Sequence, residues 1–205
     1  MWPDLSDIRS RVRTLLDQSS TRYYSDEMIN RWINDGERDV AIKGLCIEST
    51  VSKTTTVSTR AVHIDCIKTL AIIYNGKTLT KIKPNKLGSR SVNGATPQSW
   101  FPWGNKNYID PIPNAAYTLS VYAAILPTVE MSDDTDEPQV PEEVIPLIVR
   151  YAYWKALLRD RLYASSGAVY QDYIFKLSQI RDGIIQKYAD TPADRKIPDT
   201  IEIAQ

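Results

Sequence analysis

Histidine occurs once in these 205 residues, cysteine twice and phenylalanine twice, while 25 acidic and 25 basic side chains cancel. Each scarcity removes a class of function. Cys46 and Cys66 have no Cys-x-x-Cys spacing, so reduced thiols in a bacterial or cytoplasmic setting are expected and a secreted disulfide framework is not. The absent positive excess argues against a protein that grips nucleic acid non-specifically, because that affinity comes from neutralising phosphates. Eight glycines, in neither Gly-x-x-x-x-Gly-Lys nor Gly-x-Gly-x-x-Gly order, leave little backbone to cradle a phosphate. No window approaches the roughly 18 apolar residues of a membrane span. Met1-Trp2-Pro3-Asp4 does not open a basic-then-apolar leader, so the chain is expected to stay in solution.

Catalytic groups are equally thin. His63 lies in Ala61-Val62-His63-Ile64, where a strand side chain is the plain reading. A Ser-His-Asp triad would have to use it, and no Gly-x-Ser-x-Gly elbow accompanies it. Cys46, His63 and Cys66 are too few and too irregular for a zinc site. The sequence therefore predicts no catalytic residue, no cofactor and no metal.

What is present is a core and its periodicities. Apolar residues make up 42%, with twelve tyrosines and five tryptophans, which suit surfaces buried on association as well as interiors. Leu5, Ile8, Val12, Leu15 and Leu16 mark a first helix after Pro3-Asp4. Ser25 caps a second, with Asp26 and Glu27 in its first turn, a face of Ile29, Trp32, Ile33, Val40 and Ala41, and a stop at Gly44. Residues 50–60 are β-branched and helix-poor. Ile67 to Tyr74 and Lys77 to Lys83 read as hairpin strands about Asn75-Gly76, and residues 84–99 as a loop. From Tyr117 to Ile125, Leu119, Val121 and Ala123 alternate with Thr118, Ser120 and Tyr122.

Helical spacing resumes near Pro146, with Ile148, Tyr151, Ala152, Leu158 and Leu162 on one stripe widened by Leu147 and Trp154. A last helix, from about Ser166 to Tyr188 and roughly 35 Å long, carries the seam Tyr170, Tyr173, Leu177, Ile180 and Ile184. The fold class is α+β: a helical bundle body of about four helices (1–47 and 141–189), an inserted antiparallel β-region (48–126), an acidic linker (127–140) and an extended C-terminal arm (190–205). The arm ends in Thr200-Ile201-Glu202-Ile203, a short alternating segment.

Charge is sorted along the chain. Residues 127–143 hold Glu130, Asp133, Asp134, Asp136, Glu137, Glu142 and Glu143 with no Lys or Arg. Ser132-Asp133-Asp134-Thr135-Asp136-Glu137-Pro138 has the oxygens of a calcium loop but not its glycine. The plain reading is a solvated loop. An acid-dependent glycan hydrolase using two of these acids, Asp134 and Asp136 foremost, is the catalytic alternative. Residues 77–106 carry Lys77, Lys81, Lys83, Lys86, Arg90 and Lys106 with no acid among them, near Trp100, Phe101, Trp103 and Tyr108. A solvated hairpin plus a loop whose aromatics cover the sheet end is the plain reading. The same pattern suits a small nucleic-acid-binding accessory protein, or a positive lobe docking on a negative surface of another subunit.

Taken in order, several segments resemble tailed-bacteriophage head-to-tail adaptor proteins. They are Tyr24-Ser25-Asp26-Glu27 leading into Ile29-Asn30-Arg31-Trp32-Ile33-Asn34-Asp35-Gly36; Tyr74-Asn75-Gly76-Lys77; Thr96-Pro97; Ile109-Asp110-Pro111-Ile112-Pro113; and Asp136-Glu137-Pro138-Gln139-Val140-Pro141. The resemblance covers most of residues 4–163 and rests on order and spacing. It implies a non-enzymatic subunit of a virion neck ring, commonly of twelve copies, assembled in the host cytoplasm. The ring would bind the portal protein and a further tail or neck protein, and DNA would pass through without specific binding. Within that frame, Asp133, Asp134, Asp136 and Glu137 are expected at the channel or a subunit seam. Lys77, Lys81, Lys83 and Lys86 are the candidate inter-subunit basic lobe. Ile197, Ile201 and Ile203 are the candidate portal-binding residues of the arm.

Overall fold

The computed structural model describes residues 2–17, 23–85 and 96–189. The chain forms two compact units, Met1–Ile47 with Ile125–Ile185, and Glu48–Ala124 with Gln186–Gln205.

The first unit is helical. Asp4 caps α1 (Leu5–Leu15) by accepting the Asp7 N–H at 2.8 Å, and Leu5, Ile8 and Val12 are its buried face. Leu15 is half exposed, one turn beyond the last residue that the neighbouring helices cover. Ser25 caps α2 (Asp26–Gly44) by accepting from Met28 N–H, and Leu45 closes it in the left-handed conformation with φ 60°. The buried stripe of α2 is Ile29, Ile33, Gly36, Glu37, Val40, Ala41 and Gly44, with Trp32 only half-buried. Gly36 lets α2 approach α3 (Ile145–Arg159) closely: a Cβ there would stand 3.0 Å from Tyr151 Cδ1.

Helix α3 starts with Pro146 in its first turn and buries Ile145, Leu147, Ile148, Val149, Tyr151, Ala152, Ala156 and Leu157. Apolar residues on several sides make it the central helix of the unit. The expected stripe stops short of Leu162, which lies past the helix end and is half exposed. Helix α4 (Tyr163–Ala189) begins three residues before Ser166 and buries Ser166, Tyr173 and Leu177. Ile180 and Ile184 are half-buried, so the expected seam is closed over its first half only. Tyr173, fully buried, donates to Asp39 Oδ2 at 2.6 Å and packs edge-on against Tyr151, 5.7 Å between centroids. No helix among the described residues is long and apolar enough to cross a membrane.

Among the described residues the second unit has two four-stranded sheets. The first runs β1 (Glu48–Thr54), β8 (Thr118–Ala124), β3 (Lys68–Tyr74), β4 (Lys77–Thr78), all antiparallel. Central β8 follows the period-two pattern, with Leu119, Val121 and Ala123 fully buried. Asn75 and Gly76, φ 49° and 71°, make the tight turn between β3 and β4. The second sheet runs β2 (Ala61–His63), β7 (Lys106–Asp110), β6 (Ser99–Trp103), β5 (Thr80–Lys81). Val62, Ile64, Ile72, Leu79, Trp100, Ile109, Leu119 and Val121, drawn from both sheets, form one core.

Two expectations for this region change. The strand read as Lys77 to Lys83 breaks at Leu79, whose side chain is 5% exposed and whose N–H still bonds Ile72 O at 2.8 Å. Residues on either side go to different sheets, and β5 pairs with β6 in parallel, so the β-structure is mixed. The aromatic segment is a hairpin, with Ser99 opposite Asp110 and Trp103 opposite Lys106. Trp100 is 1% exposed in the core and Phe101 stacks on Tyr108 at 5.1 Å.

Candidate interaction surfaces

The acidic segment is a built loop. Asn34 of α2 donates its Nδ2 to Met131 O at 2.9 Å and accepts Met131 N–H at its Oδ1 at 3.0 Å. Glu37, one turn on and 2% exposed, accepts Gln139 N–H at 2.6 Å. Gln139 in turn accepts from Thr128 N–H and hydroxyl and donates to Val129 O. The first-turn N–H groups of α1, which have no partner inside the helix, are taken by this loop: Leu5 bonds Asp136 O at 2.8 Å and Ser6 bonds Asp134 O at 3.1 Å. Arg9, 13% exposed, ties Asp134 at 2.5 Å and Asp26 at 3.6 Å. The side chains of Asp133, Asp134 and Glu137 nonetheless face solvent. The loop is solvated at its carboxylates and fixed at its backbone.

This arrangement sets each acid's chemistry. Asp136 accepts Ser132 and Asp133 N–H at 2.7 and 2.8 Å, and these bonds hold its carboxyl below the ordinary value. The general acid of a glycosidase needs a raised carboxyl; Asp136 is shifted the opposite way and Asp134 is paired with Arg9. Burial pushes the Glu37 carboxyl up, with the Gln139 N–H pulling it partly back. Glu37 is the polar residue that reading the sequence missed; the signal was a carboxylate at an apolar-stripe position, between Ile33 and Val40–Ala41. Among the described residues, no group of three or more His, Cys, Asp and Glu is placed to hold a metal.

The basic residues that are described are spread over both sheets. Exposed Lys77 starts β4 in the first sheet, Lys81 ends β5 in the second, and exposed Lys83 follows it; Lys86 lies outside the described residues. The Lys81 ammonium sits 5.0 Å from the Trp100 ring centroid. It lines a cleft with Lys68 and Lys106 in place of its neighbours in sequence. His63 bonds Asn105 O at 3.1 Å and Asp65 Oδ1 at 2.9 Å, an exposed strand-end arrangement. Ile197, Ile201 and Ile203 also lie outside the described residues.

Apolar surface remains on the helical unit. Leu162, Tyr163 and Phe175 are 51%, 64% and 61% exposed. Nearby, Trp154 and Tyr170 pack at 4.6 Å, and Lys155 stands over the Trp154 and Tyr151 rings at 5.3 and 5.4 Å. Burial, then Asp39 and Asp35, pushes the Tyr151 hydroxyl up to about 12, so it stays a hydrogen-bond donor at neutral pH.

Bare aromatics and a carboxylate-bearing loop pinned in place are the equipment of a structural module that meets other proteins. The sequence as a whole says which kind: the model of the SU10 adaptor protein family matches residues 3–196. The chain belongs to that family, a phage head-tail adaptor family, and is a virion component that works with other phage head and tail proteins. No curated protein matches it.

Proposed function

We propose that this chain is a non-catalytic subunit of the phage neck. In this reading it closes with copies of itself into a ring, of twelve copies as the resemblance implies. One end of the ring binds the portal protein and the other a further tail or neck protein. The ring continues the DNA channel and DNA passes without specific binding. The observation that carries this reading is the family match over residues 3–196.

Two structural features support it. The exposed Leu162, Tyr163 and Phe175 leave apolar area that association would remove from water. Heterologous contacts between different faces of one subunit close into a ring when the rotation permits. The pinned loop holds Asp133, Asp134 and Glu137 at fixed, solvent-facing positions. Such carboxylates suit a channel wall, because a continuous basic lining would hold DNA by its phosphates, or a seam facing cations of a neighbour such as Lys77 and Lys83. The arm, with Ile197, Ile201 and Ile203, is the portal hook, adding a strand or an apolar anchor to a portal subunit.

Co-sedimentation with portal tests the reading. The full chain is expected to pellet with portal, and a chain lacking residues 190–205 to lose most of that binding. Undiminished binding without those residues removes the arm's role. Absence of binding by the full chain removes the portal reading altogether.

A further inference from the structure

Three cations line one cleft in the sheet unit. Its walls are the segment Ile64 to Thr69, Lys81 of β5, and the turn from Pro102 to Asn107. Lys68, Lys81 and Lys106 reach it from segments far apart in sequence, and none makes an ion pair within 4.0 Å among the described residues. The nearest acid in sequence, Asp65, is exposed and turned to His63. Lys81 is fixed by its place over Trp100. It holds its proton less tightly than an ordinary lysine, first through partial desolvation and then through the charge of nearby Lys68.

A second observation is independent of charge. Asn107, 4% exposed, lines the same cleft and donates Nδ2 to Thr69 Oγ1 at 2.9 Å, while its Oδ1 is buried without a hydrogen-bond partner. A buried amide atom without a partner is costly and uncommon. The orphan atom is an acceptor as placed; because the Thr69 hydroxyl both donates and accepts, the amide can keep that bond when turned over, which puts an unpartnered N–H in the cleft wall instead. The register shift between Thr69 and Ala71 is a bulge in β3 at this place, the device by which a strand re-aims side chains beside a site.

We propose that this cleft is an oxyanion site that takes a phosphate group. All three of its cations are lysines, which bind as point charges and suit a tetrahedral anion; planar carboxylates favour the flat fork of arginine, which the cleft lacks. Trp103, 63% exposed, is not in the cleft wall but stands opposite Lys106 across the β6–β7 pair, and its indole offers a face on which a base can stack. The phosphate of a single nucleic-acid strand and free phosphate share this chemistry. The site goes beyond the neck-ring reading, which needs no bound phosphate, and it stands if that reading falls.

Backbone amide NMR of the full chain, titrated separately with inorganic phosphate and with a short oligothymidylate, tests it. Saturable shifts are expected within residues 64–69 and 102–107. Binding should weaken about tenfold or more when Lys68, Lys81 and Lys106 are all changed to Gln, the loss expected for charge-assisted bonds. Lys77→Gln should leave it unchanged. If the triple variant loses its dispersed spectrum, Lys106→Gln alone, at an exposed position, is expected to weaken binding in the same direction. Tighter binding of the oligonucleotide, lost in Trp103→Ala, identifies a strand as the source. Equal affinity of the two probes identifies free phosphate. No saturable response to either probe, a response indifferent to the lysine variants, or a response to polyglutamate alone overturns the site.

Discussion

The acidic loop of the helical unit and the basic residues of the sheet unit are both charge runs in the sequence, yet the two are held differently. The loop's position is set by groups of the helices: Asn34 clasps Met131 at both ends of its amide, Glu37 accepts Gln139 N–H, and α1 donates Leu5 and Ser6 N–H to loop carbonyls. The exposed carboxylates of Asp133 and Glu137 are passengers on that frame. Lys77 and Lys81 are separated instead by the burial of Leu79, and Lys81 joins Lys68 and Lys106 from elsewhere in the chain. Whether a charge run becomes one surface depends on the apolar and backbone groups between its charges. The charges alone do not decide it.

That contrast can be broken by measurement. Asn34→Ala should have the largest effect, about 2 kcal/mol of lost stability in urea denaturation, since it removes two hydrogen bonds and strands Met131 N–H and C=O, Met131 being 5% exposed. A cost below about 0.5 kcal/mol would mean that the loop is held by something else. Arg9→Met should cost less, about 1 kcal/mol by the same measurement, because Asp134 is 68% exposed and its attraction is screened by water.

Glu37→Gln sharpens the comparison through pH. The folded-state pKa of Glu37 is raised, so its contribution is fully present below the unfolded value of about 4.3 and is lost as pH rises through the folded value. The variant, neutral throughout, should therefore gain thermal stability relative to the parent as pH rises from about 4 toward neutrality. A flat difference would show that the Glu37 carboxyl is not perturbed. The smallest effect belongs to the basic side: Lys77→Gln and Lys83→Gln should each change stability by less than about 0.5 kcal/mol, as exposed residues with no structural task.

Local chemistry explains what was legible in the sequence. The Ser25 cap, the Asn75-Gly76 turn and the alternation of Leu119, Val121 and Ala123 are decided by residues a few positions apart. The four helices of the described residues and the α+β class were readable on such signals, and the adaptor family on the order and spacing of several of them. Non-local pairing hid the rest. Nothing near Leu79 announces that the chain changes sheets there, and Trp100 and Phe101 become strand residues only because β7 and β5 lie alongside. The tethering of the acidic loop rests on Asn34 and Glu37, roughly a hundred residues away. Ile180, Ile184 and Phe175 were legible as apolar, but whether this chain or another covers them is not written in their spacing.

The central claim is that those uncovered faces are completed by other virion proteins, copies of this chain included. Electron microscopy of the chain mixed with portal and the next tail protein tests it most directly. The account predicts closed rings seated on portal with an open axial channel. Lone particles that ignore portal, and that turn over a small molecule, would contradict it.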